Sequence, residues 1–92
     1  MDFKVESNRI FANDADGNII AEVNFPEAGQ NVVDINRTFV DPSLRGQGVA
    51  AKLMEMVFSE IEASGRKATL SCPYAVKWAA GNEKFKDCIG NR

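Results

Sequence analysis

A chain of 92 residues, 45% of them hydrophobic, can close one core but not two, so residues 1–92 are read as a single domain. A net charge of -2 leaves it without the basic field on which non-specific nucleic-acid binding depends, which argues against a DNA or RNA partner. No apolar run approaches the roughly 20 residues that cross a bilayer, Met1-Asp2-Phe3-Lys4 lacks the basic and apolar regions of a secretory leader, and Cys72 and Cys88 have no histidine to join them in a metal site; the expectation is a cytoplasmic protein with reduced thiols, no membrane contact and no metal.

The first forty residues carry strand patterns. Phe3 and Val5 alternate with Lys4 and Glu6, and Ile10-Phe11 follow a short polar break at Ser7-Asn8, which predicts a hairpin. Asn13 to Asn18 is a dense turn cluster. Ile19 to Phe25 then resumes the strand pattern, with Glu22 and Asn24 on the face away from Ala21, Val23 and Phe25. Pro26 to Asn31 reads as a connection, and Val32 to Val40 as one β-branched and aromatic strand that Asp41-Pro42 stops. The simplest arrangement is four antiparallel strands in sequence. From Gln47 to about Ser64 the period changes: Val49, Ala50, Leu53, Met54, Val57 and Ile61 recur at spacings of three and four, an amphipathic helix that Gly65 can end in a left-handed cap. Lys67 to Cys72 reads as a strand ending at Pro73, and Tyr74 to Ala80 as a second, shorter helix. A strand, helix, strand order around Arg45 to Cys72 joins parallel neighbours, so the fold class is α+β, a mixed sheet with an antiparallel meander and one parallel pairing. The outer edge near Lys67 to Ser71 is either a dimer contact or covered by the C-terminal segment; a monomer is expected. Trp78 and Phe85 are assigned to the core.

Between Val40 and Ala50 glycines fall where a strand has ended and a helix begins. The first turn of a helix has backbone N–H groups without partners and the positive end of the dipole, and glycine lets an anion approach that backbone. Arg45 adds a cation. The spacing is neither the Walker pattern nor the three-glycine dinucleotide pattern.

Arg45-Gly46-Gln47-Gly48-Val49-Ala50 is similar to the acyl-coenzyme A loop of the GNAT acetyltransferase superfamily, Arg/Gln-x-x-Gly-x-Gly/Ala, matching it at Arg45, Gly48 and Ala50. Thr38-Phe39-Val40, Leu44-Arg45-Gly46 and Cys72-Pro73-Tyr74 resemble the same segments of short, single-domain, Yjdj-type GNAT-like proteins. The resemblance implies a minimal GNAT-like fold and acetyl-CoA as co-substrate. It also implies that the backbone of Gly46, Gln47, Gly48, Val49 and Ala50 holds the coenzyme pyrophosphate beside Arg45, with the strand at Phe39 and Val40 along the pantetheine arm. The implied activity is an N-acetyltransferase acting on an unspecified amine; the alternative is a module that binds acyl-CoA without turnover.

Two catalytic candidates follow from the resemblance. Cys72 stands where a cysteine suspected of accepting the acetyl group stands in the family, and Tyr74 is a candidate to protonate the departing coenzyme thiolate. A cysteine nucleophile normally needs a neighbouring imidazole or other cationic group to raise its thiolate fraction near neutral pH, and this chain has no histidine. Where related short sequences carry histidines it has Arg37 and the segment Asn82-Glu83-Lys84-Phe85. Arg37 and Lys77 are the cations that can act on Cys72 if they approach it, and a structural role for this small thiol stays open beside the catalytic one. Glu22, Glu27 and Asp34 are read as solvated carboxylates.

Overall fold

The computed structural model describes residues 2–90. Strand β1 (Phe3–Glu6) pairs antiparallel with β2 (Arg9–Asn13), with Lys4 opposite Phe11 and Val5 opposite Ile10. The turn that follows is organised by Asp14, whose Oδ1 accepts the backbone N–H groups of Asp16 and Asn18, each at 2.9 Å. Strand β3 (Ile19–Asn24) then returns along β2.

The stretch Val32 to Val40, expected as one strand, is two. It breaks at Asn36 into β5 (Val32–Ile35) and β6 (Arg37–Val40), and the two pieces belong to different sheets. The preceding connection also contains a short strand, β4 (Glu27–Gly29). The cause is hydrogen-bond accounting: β5 satisfies its backbone against β4 on one side and β7 (Lys67–Leu70) on the other, whereas β6 pairs with β3. The chain changes partners at Asn36, whose N–H donates to the Asn24 carbonyl at 3.2 Å. The result is an antiparallel four-stranded sheet in the order β1-β2-β3-β6 and a three-stranded sheet in the order β4-β5-β7, in which β5 and β7 are parallel.

Helix α1 (Val49–Ala63) crosses between the parallel neighbours and buries Leu53, Met54, Val57, Phe58 and Ile61 against the strands. It starts two residues later than the periodicity suggests, for a reason given below. Gly65 takes the left-handed conformation expected of it, with φ +73°. Helix α2 (Pro73–Ala80) follows β7, and a 3-10 segment, Glu83–Cys88, follows α2. Phe58, Trp78 and Phe85 stack with ring centroids 5.5–6.0 Å apart, which ties both helices and the 3-10 segment together as the aromatic pattern implied. The outer edge of β7 is covered from within the chain: Gly90 N–H donates to the Ala68 carbonyl at 2.7 Å, Ala68 bridges to Ile89, and Lys67 Nζ donates to the Asp87 carbonyl. Cys72 and Cys88 are both free thiols and both buried. Among the described residues no helix is long and apolar enough to cross a membrane.

Register fixes which side chains share a face. Phe3, Ala12, Ala21 and Val40 form one row across the four-stranded sheet and Val5, Ile10, Val23 and Thr38 another, both on the side of α1. Phe11, Glu22 and Phe39 form a row on the opposite side, with Arg9 and Arg37 in the next. Glu22 does point away from the main core, but it is not solvated: it is only 7% exposed, because Arg9 and Arg37 close over it with Nη1 atoms 3.4 and 3.2 Å from its carboxylate oxygens. Arg9 in turn lies on the Phe11 ring, 3.8 Å from its centroid.

Candidate functional site

The site is assembled at the end of β6. Pro42 stops the strand, and Asp41 caps the 3-10 turn Pro42–Leu44 by accepting the Ser43 N–H at 3.0 Å and the Ser43 hydroxyl at 2.5 Å. The Ser43 hydroxyl and then its N–H hold the Asp41 carboxyl below its usual value of 3.8. Gln47 reaches back over the loop, its Nε2 donating to the Ser43 carbonyl at 3.2 Å.

Gly46 and Gly48 then adopt φ of +82° and +76°. These are left-handed conformations that a side chain makes costly, and they are why α1 begins only at Val49. Gly48 is the N-cap residue; its carbonyl accepts the Lys52 N–H at 3.0 Å, but having no side chain it leaves the N–H groups at the start of the helix without a cap. No acidic residue stands in the first turn to offset the dipole. The combination of bare amides, uncompensated dipole and Arg45 is suited to a phosphate or pyrophosphate group.

These amides face a cleft of about 370 Å³ lined by Thr38, Val40, Leu44, Arg45, Gly46, Gly48, Val49, Ala50, Ala51 and Tyr74. Six of the eight residues expected at a coenzyme site are thus brought together: Val40, Arg45, Gly46, Gly48, Val49 and Ala50. Phe39 and Gln47 are not. Phe39 lies in the row with Glu22 on the far face of the sheet, and the Gln47 amide is committed to the loop. Tyr74, 38% exposed, lines the cleft. Thr38, Leu44 and Ala51 were missed. Thr38 was legible as the residue two before Val40, since alternate residues of a strand share a face.

Cys72 sits one side chain behind the cleft wall. Where β6 leaves β5, the Ile35 carbonyl accepts both the Ser71 and Cys72 N–H groups at 3.0 Å, and Cys72 becomes the N-cap of α2. Its side chain is turned inward, the residue being 6% exposed, and Sγ lies 3.5 Å from Thr38 Oγ1. Burial pushes the Cys72 thiol up, but the Thr38 hydroxyl and the backbones of Ala75, Tyr74 and Thr38 together outweigh it and leave the thiol below its usual value of 9.0. Burial, followed by the charge of Glu62, pushes Cys88 the other way. Arg37 does not act on Cys72; its guanidinium is held on the far face by Glu22. None of the three carboxylates set aside above lines the cleft: Glu22 is sealed under its arginines, Glu27 is exposed, and Asp34 accepts hydroxyls from Thr69 at 2.6 Å and Ser71 at 2.7 Å. Among the described residues no cluster of three His, Cys, Asp or Glu is placed to hold a metal.

A family model described as GCN5-related N-acetyl-transferase matches residues 9–88. Among solved structures, a GCN5-like protein from Staphylococcus aureus is 25% identical and superposes with a TM-score of 0.80 over 99% of this chain and 89% of its own. An acetyltransferase of the GNAT family from Staphylococcus aureus Mu50 is 18% identical, with a TM-score of 0.62 over 80% of this chain and 50% of its own. Glucosamine-6-phosphate N-acetyltransferase from Arabidopsis thaliana is 21% identical, with a TM-score of 0.56 over 91% of this chain and 60% of its own. The chain therefore spans nearly all of the first structure but only about half of the larger enzymes. No curated protein matches it.

Proposed function

The chain belongs to the GCN5-related N-acetyltransferase family, and we propose that it is an acetyl-CoA-dependent enzyme that transfers the acetyl group to an amine. The observation that carries this reading is the uncapped start of α1, where Gly46, Gly48 and Arg45 face a cleft walled by Thr38, Val40 and Tyr74. In this reading the amides from Gly46 to Ala50 and the Arg45 guanidinium bind the coenzyme pyrophosphate. The pantetheine arm, which carries amides of its own, lies along β6. That strand ends the four-stranded sheet, so its N–H and C=O groups on the side away from β3 are free to pair with an added extended chain. Gln47 contributes by bracing the loop.

The thioester carbonyl is then delivered toward the gap between β6 and the start of α2. Cys72 Sγ, as thiolate, attacks the acetyl carbonyl; a carbon–sulfur bond to Cys72 forms and the one to the coenzyme breaks, the coenzyme thiolate taking a proton from Tyr74. A neutral amine attacks the acetyl-Cys72 thioester, the carbon–nitrogen bond forms as the carbon–sulfur bond to Cys72 breaks, the amine proton passes through solvent to the Tyr74 tyrosinate, and Cys72 is released as thiolate for the next cycle. Residues 1–92 act as one domain, as a monomer drawing on cytoplasmic acetyl-CoA.

A second reading, a module that binds acyl-CoA without turning it over, is favoured by one observation: the chain has no histidine and Arg37 is committed to Glu22, so neither an imidazole nor Arg37 activates Cys72. Calorimetry with acetyl-CoA and intact-mass spectrometry on the same samples separate the two. Saturable binding with an acetyl-sized mass gain that is lost in Cys72→Ala, and discharged by an added amine, supports the enzyme. Binding with no mass gain and no coenzyme thiol release against a panel of amines supports the module. No binding removes both.

A further inference from the structure

Thr38 brings a side-chain hydroxyl from the cleft wall to the buried sulfur: it is a wall residue on β6, and its Oγ1 is 3.5 Å from Cys72 Sγ. We propose that Thr38 is the positioning residue for Cys72, its hydroxyl donating to the sulfur and holding it directly behind the cleft wall for acyl transfer. This rests on the acyl-transfer reading of the cleft, but the contact itself does not.

Three features of the fold support it. First, the contact spans the place where the two sheets part. β6 has left β5 at Asn36, and Cys72 has left β7 by turning onto the Ile35 carbonyl, so the Thr38–Cys72 pair closes the gap that opens between them. Second, Cys72 is the N-cap of α2, and the side-chain hydroxyl that meets its sulfur comes from another element, Thr38 on β6. The N–H groups of Tyr74 and Ala75 in the first turn of α2 and the backbone of Thr38 lie around it as further favourable dipoles. Third, the ionisable groups on the surrounding elements do not supply that role. Arg37 on β6 faces the other side of the sheet, Lys77 is in the last turn of α2, and Arg45 and Tyr74 stand on the cleft. A neutral hydroxyl and backbone amides are thus the groups that favour the thiolate here. A serine or threonine hydroxyl can donate one hydrogen bond to an anion; valine, of the same shape, cannot.

The test is the rate of alkylation of each cysteine by iodoacetamide between pH 6 and pH 10, followed by peptide mass mapping, in the wild type and in Thr38→Val, Thr38→Ala and Thr38→Ser. Cys88, which Thr38 does not touch, is the internal reference. Thr38→Val and Thr38→Ala are expected to move the Cys72 profile to higher pH and to slow its alkylation near neutral pH about fivefold, the effect of one hydrogen bond. Thr38→Ser is expected to restore the wild-type profile, and Cys88 is expected to stay the same throughout. Two variants remove the hydroxyl with different bulk, so a folding defect in one leaves the other informative. A Cys72 profile unmoved by loss of the hydroxyl, or moved equally by serine, overturns the proposal. Acetylation of Cys72 by acetyl-CoA is measured separately: its absence with a shifted alkylation profile sinks the acyl-transfer reading and leaves the role of Thr38 standing.

Discussion

Gly48→Ala tests the proposed role of the loop in phosphate binding against a control built into the same chain. Gly48 has φ +76°, and a Cβ there meets nothing within 4 Å. The substitution therefore costs conformational strain without a clash, about 1–2 kcal/mol for a left-handed residue. For a chain of 92 residues each kcal/mol lowers Tm by about 4–8 °C. Gly17, in the turn after β2, has φ +86° and an equally open surrounding, so Gly17→Ala carries the same strain at a residue that does not line the cleft. The two variants should lose similar stability by thermal or urea melts. They should differ in coenzyme binding. At Gly48 the new methyl stands among the amides that face the cleft and takes the space of a phosphate oxygen. Losing one hydrogen bond to a charged group is worth about 1.5–3 kcal/mol, so acetyl-CoA affinity by calorimetry should fall at least about tenfold in Gly48→Ala and stay unchanged in Gly17→Ala. Equal affinity in the two variants would show that the start of α1 does not hold the coenzyme phosphates.

Three further outcomes follow from the packing and the ionisable groups. Glu22→Ala leaves two guanidinium groups facing each other; because Arg9 and Arg37 are 34% and 61% exposed, the cost should be about 1–2 kcal/mol rather than that of a fully buried pair, and a urea melt identical to wild type would show that the cluster is idle. Phe58→Ala removes the central ring of the aromatic stack and should cost about 3–5 kcal/mol, with a change in the fluorescence of Trp78, the single tryptophan; unchanged emission would contradict the stacking. Asp14, held low chiefly by the Asn18 backbone N–H, and Asp41, held low by Ser43, contribute stability that is complete above the usual carboxylate value of 3.8 and is lost as pH falls below it. Tm should therefore decline between pH 4 and pH 2 more steeply in the wild type than in the Asp14→Ala, Asp41→Ala double variant; parallel declines would place the acid sensitivity elsewhere.

The loop was legible because its chemistry is local. Pro42 ends a strand, two glycines delay a helix, and Val49, Leu53 and Val57 give that helix a face, all within one stretch of chain. What sequence could not supply were facts about partners. Val32 to Val40 is rich in β-branched and aromatic residues, and although Asn36 is a poor strand former, the change of partner there depends on strands distant in sequence. Phe39 is placed at the coenzyme site by the family resemblance, whereas the register turns its side chain to the far face. Glu22 shows the converse. Its position on the outer face was readable from alternation, but its burial depends on Arg9 and Arg37 arriving from two other strands. The Thr38–Cys72 contact, between residues 34 apart, belongs to this second kind of fact.

The break at Asn36 also sets the order in which the molecule can form. β6 finds its partner, β3, already made by the time residues 37–40 leave the ribosome, since β1, β2 and β3 are successive hairpin neighbours. β5, which precedes β6, has only β4 and must wait for β7, whose residues follow the whole of α1. Non-local parallel pairing of this kind closes slowly, and an unpaired strand edge is a point of self-association while it lasts. The asparagine that separates the two sheets thus also separates pairings between antiparallel strands that precede α1 from the parallel pairing that spans it, and the contact between Thr38 and Cys72 joins the two.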